Sequence, residues 1–161
     1  MFVVQKGRRL LPQTAVVLFG GEAPRRPEWR DCIRQARFLA AADAGAEMAL
    51  RQGRYPNLLV GDFDSLPAYL LAQCRGSGCQ ICRLPVHKDL TDGEFFLQCL
   101  QKAGWQRLLI LGALGGRFDQ TLAKICIAAP LARQGVEICL AQEDGLLLLL
   151  AAEAEPRRLC L

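Results

Sequence analysis

Residues 58–65 read Leu58-Leu59-Val60-Gly61-Asp62-Phe63-Asp64-Ser65, an apolar run that ends in two carboxylates two positions apart. A short aliphatic run closed by glycine reads as a strand covered on both faces. In an extended segment, residues i and i+2 lie on the same side, so a continuing strand would set Asp62 beside Asp64. Like charges held together repel unless water or a cation lies between them. Asp and Ser are also ordinary turn and cap residues, and the surrounding chain has to separate the two readings.

On either side of this stretch, short apolar runs alternate with helical patterns. Ala15 to Phe19 is a strand stopped by Gly20-Gly21, and Phe38 to Ala42 is a second strand ending at Asp43. Gly45 to Gln52 reads as a helix closed by Gly53. After the Leu58 to Val60 strand, Leu66 to Cys74 reads as a helix capped by Ser65, with Pro67 in its first turn. Ile81 to Leu84 is a fourth strand. Thr91 to Ala103 is an amphipathic helix in which Thr91 and Glu94 have capping-box spacing and Gly104 is the stop. Arg107 to Leu111 is a fifth strand, and Phe118 to Gln134 is a helix closing at Gly135. Val136 to Leu140 and Leu146 to Leu150 complete the pattern. Strands separated by helices predict one α/β domain over residues 1–161, a mostly parallel sheet between two helical layers in the Rossmann-like manner.

Hydrophobic residues make up 52% of the 161 positions and charged residues 22%, which excludes a disordered chain. The net charge of +4 comes from scattered basic residues, so no nucleic-acid footprint is expected. The longest apolar run, Leu146 to Ala152, is far short of a membrane helix. The N-terminus lacks the layout of a signal peptide. A cytoplasmic protein with no membrane partner is the expectation. Of eight cysteines, Cys99, Cys126 and Cys139 sit in apolar context and read as small core residues. Cys74, Cys79, Cys82 and His87 have the spacing of four zinc ligands, against the plainer reading of thiols packed on a strand.

The acids recur where a ligand would sit. In open α/β sheets, ligands bind beyond the carboxyl ends of the strands. Asp43 follows the second strand, Asp62 and Asp64 the third, Asp89 and Asp92 the fourth, and Asp119 the fifth. One such Asp is best read as a cap; four successive strand ends are not. Converging carboxylates require positive charge, which magnesium supplies through oxygen ligands while bridging to phosphate. Gly20-Gly21, Gly112 and Gly115-Gly116 allow backbone to approach a phosphate, and Lys88 and Arg117 are cations suited to it. Neither G-x-x-x-x-G-K-[ST] nor G-x-G-x-x-G occurs, which excludes an ordinary P-loop or dinucleotide fingerprint. Magnesium-dependent phosphoryl chemistry is the resulting expectation, with no substrate named.

Four ordered motifs go further: Ala42-Asp43-Ala44-Gly45-Ala46, the GDFDS stretch, Lys88-Asp89-Leu90-Thr91-Asp92, and Gly115-Gly116-Arg117-Phe118-Asp119-Gln120-Thr121-Leu122-Ala123. Together they resemble the thiamin pyrophosphokinase family from about Val16 to Leu150. The resemblance implies transfer of diphosphate from ATP to the hydroxyl of thiamin by a homodimer, giving thiamin diphosphate and AMP. It implies that Asp62, Asp64 and Asp89 hold magnesium and phosphates, and that Asp92 and Asp119 act with them in catalysis. Asp43, Gly45, Ser65, Lys88, Thr91, Arg117 and Gln120 would contact nucleotide. Ser65 and Thr91 read first as helix caps, a role compatible with phosphate contact.

His87 departs from the acid that the family often carries before Lys-Asp. Family members also continue into a β domain that helps to form the thiamin site, and Leu161 falls where that domain would begin. This span by itself is therefore expected to bind nucleotide and to transfer poorly. A non-catalytic nucleotide-binding module and a transferase acting on another alcohol are the competing readings.

Overall fold

A computed structural model describes residues 3–4, 9–10, 13–84, 91–143 and 145–149. Two short strands, β1 (Val3–Val4) and β2 (Arg9–Leu10), pair antiparallel. The remaining elements are β3 (Thr14–Leu18), α1 (Pro27–Gln35), β4 (Leu39–Ala42), α2 (Gly45–Leu50), β5 (Leu58–Gly61), α3 (Ala68–Gly76), β6 (Gln80–Arg83), α4 (Asp92–Lys102), β7 (Arg107–Leu111), α5 (Phe118–Arg133), β8 (Glu137–Gln142) and β9 (Gly145–Leu149). They build a seven-stranded sheet in the order β6-β5-β4-β3-β7-β8-β9, parallel except for β9.

Strict alternation in the strands produces two cores. Val16, Leu18, Leu39, Ala41, Leu59, Leu109 and Leu111 face one layer, where Trp29, Cys32 and Ile33 of α1, Met48 of α2 and Leu70 of α3 cover them. Ala15, Val17, Ala40, Ala42, Val60, Leu108 and Ile110 face the other, under Phe96, Leu97 and Leu100 of α4 and Ala128, Leu131 and Ala132 of α5. This is the period of two expected for an extended chain. The chain first steps outward from β3 to β4, β5 and β6 with α1, α2 and α3 on one face. It then crosses back to β7 and on to β8 with α4 and α5 on the opposite face. A fixed crossover hand requires the helices to change face when the direction of stepping reverses.

Several local expectations are corrected. Helix α1 was not anticipated, although Pro27 in its first turn and the Trp29, Cys32, Ile33 spacing mark it. Its polar, arginine-rich surface and the absence of a capping side chain on Arg26 hid it. Helix α3 is not capped by Ser65: it starts at Ala68 with Pro67 at the N-cap and no side-chain cap bond. A proline disfavours helical geometry in the residue before it, which keeps Leu66 out of the helix. Thr91 does cap α4, its Oγ1 accepting from the Glu94 amide at 3.2 Å. The leucine run enters β9, an edge strand antiparallel to β8, with Leu146 50% exposed. Cys139 is buried as expected, whereas Cys126 lies exposed on α5.

Phe96 is fully buried and packs edge-on to Phe19, ring centroids 5.9 Å apart. Phe96→Ala should lower stability by about 3–5 kcal/mol. Urea unfolding would check this, with the midpoint falling and the slope unchanged; a loss below about 1 kcal/mol would contradict it.

Candidate active site

The chain changes stepping direction between β3 and β7, and there the loops after these strands touch. The Phe19 amide donates to the Leu111 carbonyl at 2.9 Å, and the Gly21 amide donates to the Gly112 carbonyl at 3.0 Å. A Cβ on Gly21 would stand 2.3 Å from the Gly112 oxygen, and one on Gly112 would stand 2.4 Å from the Phe19 oxygen. Side chains on both are excluded. Thr121 of α5 donates to the Gly115 carbonyl at 3.3 Å and ties the glycine loop to the helix behind it.

Beside this crevice, the ends of β4 and β5 set the first acids. Asp43 takes φ 42°, left-handed backbone that an Asp tolerates better than most residues because its carboxylate bonds locally. Its amide donates to the Val60 carbonyl at 3.0 Å, and its Oδ1 accepts from the Phe63 amide at 3.1 Å. A Cβ on Gly61 would fall 1.7 Å from that same Oδ1, so glycine at the end of β5 is what leaves room for the Asp43 carboxylate. Gly45, expected at the nucleotide, is required for another reason. A Cβ there would lie 2.3 Å from the Leu18 carbonyl oxygen, so α2 starts directly against β3.

The opening expectation for GDFDS is corrected by its backbone. β5 ends at Gly61, and Phe63 takes φ 67°, which breaks the alternation that would have aligned Asp62 with Asp64. Phe63 turns inward to 6% exposure, and Asp62 Oδ1 accepts from the Asp64 amide at 3.0 Å in a tight turn. Asp64 and Ser65 are exposed. Asp62 instead gathers with Asp43 and with Asp92 from the first turn of α4, their ligand oxygens all within 4.8 Å of one another and the three residues half-buried.

Three carboxylates at that separation match a hard divalent cation. Oxygens bound at about 2.1 Å in octahedral geometry lie roughly 3.0 Å apart when adjacent and 4.2 Å apart when opposite, so small side-chain adjustments suffice. The donor set, all oxygen, fits magnesium and not a thiolate-preferring metal. Lys88 and Asp89, with His87, lie outside the described residues.

Arg117, at the N-cap of α5, holds Asp119 with two prongs, Nη2 to Oδ2 at 2.6 Å and Nε to Oδ1 at 3.1 Å. Both side chains are largely exposed, and the guanidinium holds the Asp119 carboxyl below the usual carboxylate range. Gln120 is exposed beside them. Arg83, at the carboxyl end of β6, was not singled out in the sequence; it lies over the Phe63 ring at 5.4 Å. Its strand-end position was the available signal.

Cys74 is buried, while Cys79 and Cys82 are half-buried. Among the described residues these cysteines form no metal-sized group. Burial pushes the Cys79 thiol up to about 12, with Cys74 adding to the shift, so it stays protonated and packs as an apolar group.

Fold and edge together define a doubly wound α/β domain with an acid group at the carboxyl edge of its sheet. The model of the thiamin pyrophosphokinase catalytic domain matches residues 29–140, and the chain belongs to that family. It is similar to the structure of a thiamin pyrophosphokinase family protein from Enterococcus faecalis, with 25% identity and a TM-score of 0.61 over 78% of this chain and 60% of that one. The thiamine pyrophosphokinase of Bacillus subtilis shares 22% identity at a TM-score of 0.66, over 81% of this chain and 61% of its own. That of Candida albicans shares 17% at a TM-score of 0.69, over 89% and 68%. The chain thus spans about 60% of the length of the two bacterial proteins. Among the described residues, no helix is long and apolar enough to cross a membrane.

Two outcomes test the site's construction. Gly61→Ala should cost about 1–3 kcal/mol, since the new methyl displaces the Asp43 carboxylate and meets backbone strain at φ 154°; a thermal midpoint equal to that of the parent would refute the packing. Millimolar magnesium is expected to raise the thermal midpoint of the parent; Asp62→Asn should leave stability in EDTA equal or raised, by relief of repulsion, and should not be stabilised by magnesium. Equal magnesium stabilisation in both proteins would remove Asp62 from the metal set.

Proposed function

We propose that this domain binds magnesium ATP at the carboxyl edge of its sheet and transfers the terminal diphosphate to the hydroxyl of thiamin, releasing AMP. The observation that carries this reading is the convergence of Asp43, Asp62 and Asp92 beside the glycine contact at the switch point, in a chain of the thiamin pyrophosphokinase family. In the reaction, the alcohol oxygen bonds to the β-phosphorus as the bond to the α-phosphate oxygen breaks. The hydroxyl proton passes to a base, and AMP leaves. Little covalent work falls to the protein, so positioning and charge stabilisation dominate.

Asp43, Asp62 and Asp92 would hold the magnesium, with Asp64 and Asp89 proposed as further ligands, and the ion when bound would offset charge on the phosphate oxygens. The glycine loops after β3 and β7 admit the triphosphate close to backbone amides. Lys88, Ser65, Thr91, Gln120 and the amides around Gly45 complete the nucleotide contacts in this proposal. Arg117 would reach the transferring group by exchanging its Asp119 partner for phosphate; both carry their charge at the surface, where an ion pair is worth little and is readily exchanged. Asp119, once released, would orient or deprotonate the alcohol. A homodimer in the cytoplasm is part of the same proposal.

The test is a paired measurement of AMP and thiamin diphosphate after incubation with ATP, magnesium and thiamin. Equal amounts of both products, dependent on magnesium and on thiamin, are expected. ADP in place of AMP, or turnover with another alcohol and not with thiamin, would overturn the reading. Nucleotide binding without any transfer in the longest expressible form would identify a binding module instead.

A further inference from the structure

Phe19, the first residue past β3, is buried and stands immediately before Gly20-Gly21. Its ring meets Phe96 of α4 edge-on, and a Cβ built on Gly93 would lie 3.3 Å from its Cε1. Gly93 follows Asp92 of the acid group and Phe19 precedes the switch-point glycines, so the ring is next to both in the chain and touches the start of α4. On it rests the Lys124 ammonium from the second turn of α5, Nζ 5.8 Å from the ring centroid. Lys124 is half-buried, and burial pulls its pKa below the ordinary lysine value. Among the described residues no carboxylate pairs with it.

A lysine stem can cover apolar surface while its head reaches water, and an aromatic face repays part of the desolvation of the head. An unbranched apolar side chain would pack on Phe19 without that cost, so packing does not explain the charge. An anion delivered to the crevice does. Arg117, once it exchanges Asp119 for phosphate, offsets only one charge of a polyphosphate, and a second cation near the acid group offsets another. We propose that Lys124 is a phosphate-binding residue of the nucleotide site, its ammonium held on Phe19 to meet the polyphosphate where it passes the glycine contact between the β3 and β7 loops. This rests on the nucleotide reading above and adds a cation from the second turn of α5.

Titration calorimetry with magnesium ATP on the parent chain, K124M and K124R tests it, with thermal unfolding of each as the control for folding. Methionine keeps the unbranched stem on Phe19 and removes the charge; arginine keeps the charge. The dissociation constant should rise about 10- to 100-fold in K124M, the range for losing one hydrogen bond to a charged group, and return to within a few-fold of the parent in K124R. Should K124M fail to fold, K124Q takes its place with the same expectation. Undiminished binding by the neutral variant overturns the assignment of Lys124 alone. A loss that arginine does not rescue assigns Lys124 a packing role and overturns it as well. Absence of binding by the folded parent overturns the nucleotide reading, and the role of Lys124 with it.

Discussion

The Gly21 amide bonded to the Gly112 carbonyl, with no space for a side chain on either residue, is the constraint on which the rest of the edge depends. The chain leaves β3 in one direction and β7 in the other, so the helices that follow these neighbouring strands, α1 and α5, lie on opposite faces. A crevice opens wherever two such loops diverge. The loops meet through bare backbone, with no side chain at the contact. Side chains that act there must come from farther along the sheet or from the helices, and they do: Asp43 and Asp62 from β4 and β5, Asp92 from α4, and Lys124 from α5.

Charge is the second constraint. Three half-buried carboxylates within 4.8 Å repel one another, and the fold accepts this because backbone amides hold two of them in place. Asp43 is fixed by the Phe63 amide and Asp62 by the Asp64 amide. Such local bonds supply orientation, and the oxygen donor set suits a hard divalent cation. Cations at the same edge are held by different means: Arg117 by Asp119, Arg83 by the Phe63 ring and Lys124 by the Phe19 ring.

Much of the architecture was legible because it is dictated by local pattern. Aliphatic runs such as Leu108 to Leu111 and Leu58 to Val60 need cover on both faces, and the helical periodicity of Asp92 to Lys102 supplies a covering face. Helix α1 was missed because its apolar face is only Trp29, Cys32 and Ile33 in a strongly charged segment. Ser65 was misread as a cap because the competing effect of Pro67 on Leu66 outweighed cap preference.

For the site, the sequence determined that acids would stand at the carboxyl ends of successive strands, since strand length and the following turn decide where Asp43, Asp62 and Asp92 fall along the chain. Only the tertiary structure decided which of them meet. The left-handed turn at Phe63 separates Asp62 from its neighbour in sequence, and the space left by Gly61 admits Asp43 to the same spot. The crossover of α4 then brings Asp92 from thirty positions away. Lys124 was silent in the sequence for the same physical reason. A lysine on a helix is ordinarily a solvated charge, and it becomes a buried cation at a crevice only once α5 packs beside α4 and sets it over Phe19.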